Sequence, residues 1–309
     1  MEKKIDISGV EPGLLAKKVK GIKESVVFKG KKIAISVSEN EDLELLGFTN
    51  QHLNDVSIEI ARYITANGAT AMYGGDLRVG GFTYFFSELS NQYQRESDKS
   101  HRFVNYFVFP NTKAITPEVR IEFHQKKIEI KEVKSPPSIE VEEERDYYPW
   151  ISIEDRYVYC ECFKEMRLQM AKDSDARILV GGKVSKFLGY IPGVIEEALL
   201  TLKEDKPVFL VGGFGGATAK LISLLKGDKV HELSNNYQYV GKFLEKYQDF
   251  VADKCSYANY ENLKSELLFY NIDALSKLNG LTMDENEILF TSKNIHEIVF
   301  YIMKGLKKL

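Results

Sequence analysis

The sequence predicts an α/β chain: three layers, α/β/α, around a mainly parallel sheet, with a helical extension toward its C-terminal end. Three observations carry this. First, short apolar runs end in a glycine pair and lead into helix-like stretches: Ala69-Thr70-Ala71-Met72-Tyr73 before Gly74-Gly75, Arg177-Ile178-Leu179-Val180 before Gly181-Gly182, and Val208-Phe209-Leu210-Val211 before Gly212-Gly213. Each reads as a buried strand feeding a tight turn into a helix. Second, strand and helix patterns alternate strictly from 177 to 225, which calls for parallel strands covered by helices on both faces. Third, beyond Lys229 the pattern is helical.

Residues 8–30 are mixed and basic, with Lys17, Lys18, Lys20 and Lys23 close together, and read as a solvated lead-in of one helix and one edge strand. Ile33 to Ser38 is the first core strand. Leu53, Val56, Ile60 and Ile64 share one stripe of a helix over 50–66, with Thr49 as N-cap and Asn67-Gly68 as its end. After the strand 69–73 and its glycine loop, Phe82 to Leu89 is helical, and its Phe82, Phe85, Phe86 and Leu89 stripe faces the core. Phe103 to Phe109 is a further strand, and the alternation from Val119 to Ile130 suggests exposed β-structure. Pro136-Pro137 and the acidic run Glu140 to Asp146 mark a surface loop. A long helix over 152–172 opens the second half. Strand 177–180, helix 193–202, strand 208–211 and helix 217–225 follow, then helices over 238–250, 259–270 and 294–307. The last ends in Lys304, Lys307 and Lys308, favourable at a helix C-terminus. The expected organisation is a lead-in (1–30), an α/β domain (31–228) with 111–150 as an insertion or loop, and a helical extension (229–309) packed on that domain.

Composition narrows the function classes. The chain of 309 residues is 44% hydrophobic and 28% charged, ordinary for a globular protein with a substantial core. A formal net charge of -3 argues against a broad nucleic-acid surface. No stretch approaches the roughly 20 apolar residues that span a bilayer, and the start lacks the apolar core of a secretory signal. Three cysteines, Cys160, Cys162 and Cys255, an odd number, argue against a disulfide framework and fit a reducing cytoplasm. Cys160 and Cys162 lack zinc-ligand spacing and read as buried or half-buried thiols. No metal and no cofactor are expected.

The chemistry concentrates in the glycine loops. In a parallel sheet they lie together at the carboxyl edge, where ligands bind. Glycine lets the backbone approach a ligand, and helix-start amides favour anions. In Gly74-Gly75-Asp76-Leu77-Arg78-Val79-Gly80-Gly81-Phe82-Thr83, the amides would cradle phosphate, Arg78 would hold it, and Asp76 would accept a ribose hydroxyl or fix the loop. The alternative is a tight turn with an Asp–Arg surface pair. In the second loop, Gly181-Gly182 follows a strand and Pro192-Gly193 opens a helix, with Gly193 leaving room for a ligand. Glu196 or Glu197 would contact ribose, act as acid or base, or simply favour the helix dipole. In the third, Gly212-Gly213-Phe214-Gly215-Gly216 lacks both the P-loop and the dinucleotide spacing. Phe214 either stacks on a base or plugs the sheet edge. Ser36 and Ser38, ending the first strand, are donors to phosphate or ribose. Arg167, on the long helix, is a further candidate for the same pocket, though solvent-facing is the default for a helical arginine. The five histidines show no catalytic or metal spacing.

Together these segments resemble the SLOG superfamily, named for domains shared by the Smf/DprA and LOG proteins, in a prokaryotic branch similar to the SLOG region of melastatin-type TRP channels. Ile35-Ser36-Val37-Ser38, Tyr73 to Arg78 with Gly81-Phe82-Thr83, Ala176 to Gly182, Pro192 to Ala198 and Gly212 to Gly216 carry the resemblance, with Asn279-Gly280-Leu281-Thr282 and Glu285-Asn286 in the tail. It covers roughly residues 30 to 305. It implies a Rossmann-like sheet that binds nucleotides or NAD-derived signals such as ADP-ribose, and a sensor in stress or anti-phage signalling. Output would pass through a homo-oligomer or a separate effector protein. The LOG branch instead cleaves nucleotide N-glycosidic bonds with an arginine and a glutamate near P-G-G-x-G-T-x-x-E. Here Pro192-Gly193 and Glu196-Glu197 remain, but the second glycine and the Gly-Thr are replaced, so the expected function is ligand binding. A nucleotide N-glycosidase, with Arg167, Glu196 and Glu197 as its catalytic candidates, is the alternative.

Overall fold

The computed structural model describes residues 27–309 apart from 76, 79, 97, 99, 100, 143 and 146–151. One sheet holds β1 (Lys32–Ser38), β2 (Thr70–Gly74), β3 (Phe103–Val108), β4 (Ile128–Val133), β5 (Ala176–Gly181) and β6 (Val208–Val211). Their spatial order is β4-β3-β2-β1-β5-β6, and every neighbouring pair is parallel. The chain therefore builds outward from β1 to β4, crosses back to β5 beside β1, and builds outward again. The strand order reverses between β1 and β5, the place where a crevice opens at the carboxyl edge of such sheets.

Period-two alternation assigns the layers. Ile33, Ile35 and Val37 of β1, Ile178 and Val180 of β5, and Phe209 and Val211 of β6 face one core. That core is covered by α2 (Asn50–Ala66), α3 (Phe82–Tyr93), α4 (Pro117–Gln125) and, from the far end of the chain, α13 (Ile295–Leu306). A short α1 (Asp42–Leu45) precedes α2. The opposite face is covered by α5 (Ile153–Asp173), α6 (Gly193–Lys203) and α7 (Gly216–Leu225). This is the expected Rossmann-like α/β/α sandwich with a C-terminal helical region.

That region comprises α8 (Asn235–Gln238), α9 (Lys242–Val251), α10 (Tyr260–Phe269), α11 (Ile272–Asn279), α12 (Met283–Thr291) and α13. Its docking on β6 is specific. Asn279 donates to the Val208 carbonyl at 3.1 Å and to Asn286 Oδ1 at 2.8 Å, both inside the core. Gly280 ends α11 in a left-handed conformation (φ 71°), and Thr282 with Glu285 forms the capping box that starts α12. These two helices are not among those the sequence patterns predict, although their punctuation is explicit in Asn-Gly-Leu-Thr-x-x-Glu.

One element is corrected. The alternation from Val119 to Ile130 is not exposed β-structure: α4 occupies Pro117–Gln125 and β4 begins at Ile128. Thr116 caps the helix by accepting from the Val119 amide at 3.3 Å, and Pro117 sits at the first helical position. Because β4 pairs with β3 over six positions, residues 117–133 belong to the sheet domain itself. The lead-in helix and edge strand expected within 8–30 fall almost wholly outside the described residues.

No helix among the described residues is long and apolar enough to cross a membrane. Cys160, Cys162 and Cys255 are free and buried. Burial pushes the thiols up to about 11, 11 and 12 respectively, which keeps them protonated and inert.

Candidate functional site

The parallel order β2-β1-β5-β6 brings all three glycine loops to one edge of the sheet. They do different work there. Gly74 packs against Met166 and Met170 of α5, and the Gly75 amide donates to the Tyr106 carbonyl at 2.7 Å. Gly81 caps α3, while Phe82 and Thr83 turn inward: Phe82 joins Tyr73 and Phe86, and Thr83 accepts from Asn105 at 2.9 Å. Gly80 and Arg78 are exposed, and Asp76 lies outside the described residues. Gly212 and Gly213 make room for the Phe290 and Ser292 carbonyls of the C-terminal region. Phe214 is buried and stacks on Phe48 at 5.2 Å, so of the two readings it fits the plug.

The opening at this edge is a cleft of about 740 Å³ at the β1–β5 reversal. Glu39, Asn40, Glu41 and Asp42 line it on one side, and Lys183, Val184, Ser185 and Lys186 on the other. Asn50 and Gln51 open α2 into it, and Gly216 and Lys220 belong to α7, so two helix N-termini face the same space. Glu232 and Tyr237 close the far side, Glu232 paired with Lys220. Lys186 holds a left-handed backbone (φ 52°) at the rim, a conformation a lysine adopts only under constraint.

Beneath the rim the backbone is self-satisfied. Ser38 accepts from the Lys183 amide at 3.1 Å, and the Gly182 carbonyl accepts from Ala217 at 2.8 Å. Gly215 and Gly216 both have positive φ (71° and 67°). A side-chain carbon at Gly216 would come within 2.5 Å of the Gly182 carbonyl oxygen. The Gly216 amide donates to Asp42 Oδ2 at 2.9 Å.

Glu196, Glu197 and Arg167 belong to a separate network whose members do not line the cleft. Arg167 is not solvent-facing; its side chain is 7% exposed and pairs with Glu196, while its Nη2 donates to the Leu188 carbonyl at 2.9 Å. Glu196 is fully buried and accepts from Tyr257 at 3.0 Å through its other oxygen. Burial pushes the Glu196 carboxyl above its ordinary range, and the charge of Arg167 and the Tyr257 hydrogen bond offset only part of that. Glu197 accepts from Ser36 and from Arg177 Nη1, the latter at 2.7 Å. Arg177 also donates to Ser36 at 2.8 Å and to Thr201 at 2.7 Å. Ser36 thus spends its hydroxyl inside the network and does not reach the edge. Gly193 gives its space to Arg167, since an added Cβ would lie 2.6 Å from Nη2. Pro192 is the N-cap residue of α6, so the Pro-Gly pair places Glu196 and Glu197 under the arginines.

The cleft-lining Asn40, Asp42, Lys183, Lys186, Lys220 and Tyr237 were not among the sequence candidates, nor was Arg177. Arg177 carries a usable signal, a charge at the start of an otherwise apolar strand. The others carry none, because they converge from segments far apart in the chain. Among the described residues, no group of three or more His, Cys, Asp or Glu is placed to hold a metal.

Residues 27–289 match the family model described as SLOG cluster2. No curated protein matches the chain.

Proposed function

We propose that this chain, which belongs to the SLOG cluster2 family, binds a nucleotide or NAD-derived ligand of the ADP-ribose type in the β1–β5 cleft and does so as a sensor. Membership in that family suggests nucleotide-related binding or ribosyl chemistry. The observation that carries the finer reading is the cleft itself. The exposed Lys183 and Lys186 supply positive charge on one side, Glu39 and Glu41 supply hydroxyl acceptors on the other, and two helix N-termini open on the same space. Phosphates would sit toward the lysines, ribose hydroxyls toward the acids, and a base against the ring of Tyr237.

Sensing is favoured over N-glycosidic cleavage by where the carboxylates lie. Glu196 and Glu197 do not line the cleft, and both are engaged by buried arginines. A general acid or base must reach the reacting bond, whereas Glu196 has both oxygens occupied within the core. The signal would leave through a homo-oligomer or a separate effector protein.

Thermal denaturation with ADP-ribose, cyclic ADP-ribose, NAD and AMP tests this. Ligand at about 100 times its Kd adds roughly 2.7 kcal/mol of stability. At least one of these compounds should raise the melting temperature and be recovered intact by mass spectrometry, and the Lys183→Ala/Lys186→Ala variant should lose the shift. Release of free base over time would replace the sensor with the glycosidase. No shift with any of the four would remove the nucleotide reading.

A further inference from the structure

The cleft contains a carboxylate where an anionic ligand would be expected. Asp42, in the short α1, accepts from the Gly216 amide at 2.9 Å, the first residue of the ten-residue α7. This is the charge-assisted contact that a phosphate oxygen makes at a helix start. Asp42 is therefore a built-in competitor for that position.

The segment bearing Asp42 is tied to the rest of the protein mainly by side chains. Backbone bonds of 42–48 are local: Leu46 to the Asp42 and Leu43 carbonyls, Gly47 to Glu44, and Phe48 to Leu43. Asn40 reaches across to the Phe214 carbonyl at 3.2 Å, and Leu43 is buried. At the distal end Phe48 stacks on Phe214 and lies under the Lys293 ammonium at 5.0 Å. Lys293 belongs to the turn between α12 and α13. One short segment thus supplies the acidic wall of the cleft, caps α7, and touches the turn between α12 and α13.

We propose that residues 39–48 form a latch: Asp42 holds the α7 amide in the unliganded protein, and the anionic group of a bound nucleotide displaces it and frees the segment. This rests on the cleft being the ligand site. It gives the sensor a moving part, because release of Asp42 loosens the Phe48 contact with Phe214 and Lys293.

The test uses the unmodified chain, Asp42→Ala, and Asp42→Asn, which keeps an acceptor without the charge. ADP-ribose and inorganic pyrophosphate are titrated calorimetrically, and amide hydrogen exchange is followed with and without each probe. Removing the competitor should tighten binding by about tenfold, the scale of one charge-assisted hydrogen bond. Probe binding should accelerate exchange at 42–48 in the unmodified protein, and Asp42→Ala should show that acceleration without probe. Binding to the unmodified protein with equal or weaker affinity in both variants overturns the latch and leaves the cleft assignment standing. Slower exchange at 42–48 on binding also overturns it. No binding to any of the three proteins overturns both.

Discussion

Arg177 donates through Nη1 to Glu197 Oε2 at 2.7 Å from a position wholly closed to solvent, while the carboxylate retains a 14% exposed edge. The arginine lies on β5 and the glutamate on α6, so the pair stitches sheet to helix. Burial pulls the Arg177 guanidinium below its ordinary value, and Glu197 opposes that pull. A buried charge depends on its partner far more than the pair as a whole contributes to stability.

Glu197→Ala should therefore destabilise the protein by about 3–5 kcal/mol, the usual result of stranding a buried charge. Urea unfolding followed by circular dichroism measures it. Arg177→Met/Glu197→Leu should recover much of the loss, because neither charge then remains in the core. A single variant within about 1 kcal/mol of the unmodified protein would contradict the described network.

Glu196 makes a pH-dependent contribution of definite sign. Its folded-state carboxyl is raised by burial, so between the unfolded value near 4.5 and that raised value the native state holds the extra proton. Its favourable contribution is complete below the unfolded value and is lost as pH rises through the folded one. Glu196→Gln lacks this titration. Whatever its offset from lost pairing, its stability relative to the unmodified protein should improve as pH rises from about 4.5 toward neutrality, as read from urea midpoints. A gap that stays constant or widens would show that Arg167 fully compensates the burial.

Gly193→Ala should cost about 1–3 kcal/mol by overpacking. The added carbon would fall 2.6 Å from Arg167 Nη2, and that guanidinium is pinned by Glu196 and the Leu188 carbonyl. Thermal melts give the loss. A neutral substitution would mean that Arg167 is free to move aside and would reopen Gly193 as a ligand-facing position.

Tyr237→Ala should weaken ADP-ribose binding by roughly three- to tenfold, the value of an aromatic stacking partner at about 0.5–1.5 kcal/mol, while Tyr237→Phe should bind almost normally. Calorimetry on both variants separates ring from hydroxyl. Loss in Tyr237→Phe equal to that in Tyr237→Ala would assign the contact to the hydroxyl and reverse the proposed placement of the base.

Local chemistry determined most of the fold. Alternation in Ile33-Ala34-Ile35-Ser36-Val37 and in Arg177-Ile178-Leu179-Val180 specifies two-faced strands, and the 3.6-residue stripe of Leu53, Val56, Ile60 and Ile64 specifies a covering helix. Glycine pairs after strands specify the turns. From Val119 to Ile130 local periodicity misleads: Thr116-Pro117 starts a helix that imitates alternation over its short length. Between α11 and α12 the only signals are the Gly280 stop and the Thr282 start, too short a stretch for periodicity to mark two helices.

The amino-acid sequence alone, then, determined parallel strands that end in glycine turns, because backbone periodicity and turn chemistry act between near neighbours; that those turns gather at one edge follows from the strand order. Only the tertiary structure decided which turns meet the cleft. Gly212 and Gly213 are claimed by carbonyls nearly 80 residues away, Gly193 by Arg167, and Ser36 by Arg177 and Glu197. The cleft walls pair Glu39 to Asp42 with Lys183 to Lys186 and Tyr237. Those encounters are set by strand order and burial, which depend on how the whole chain packs rather than on any single stretch of it.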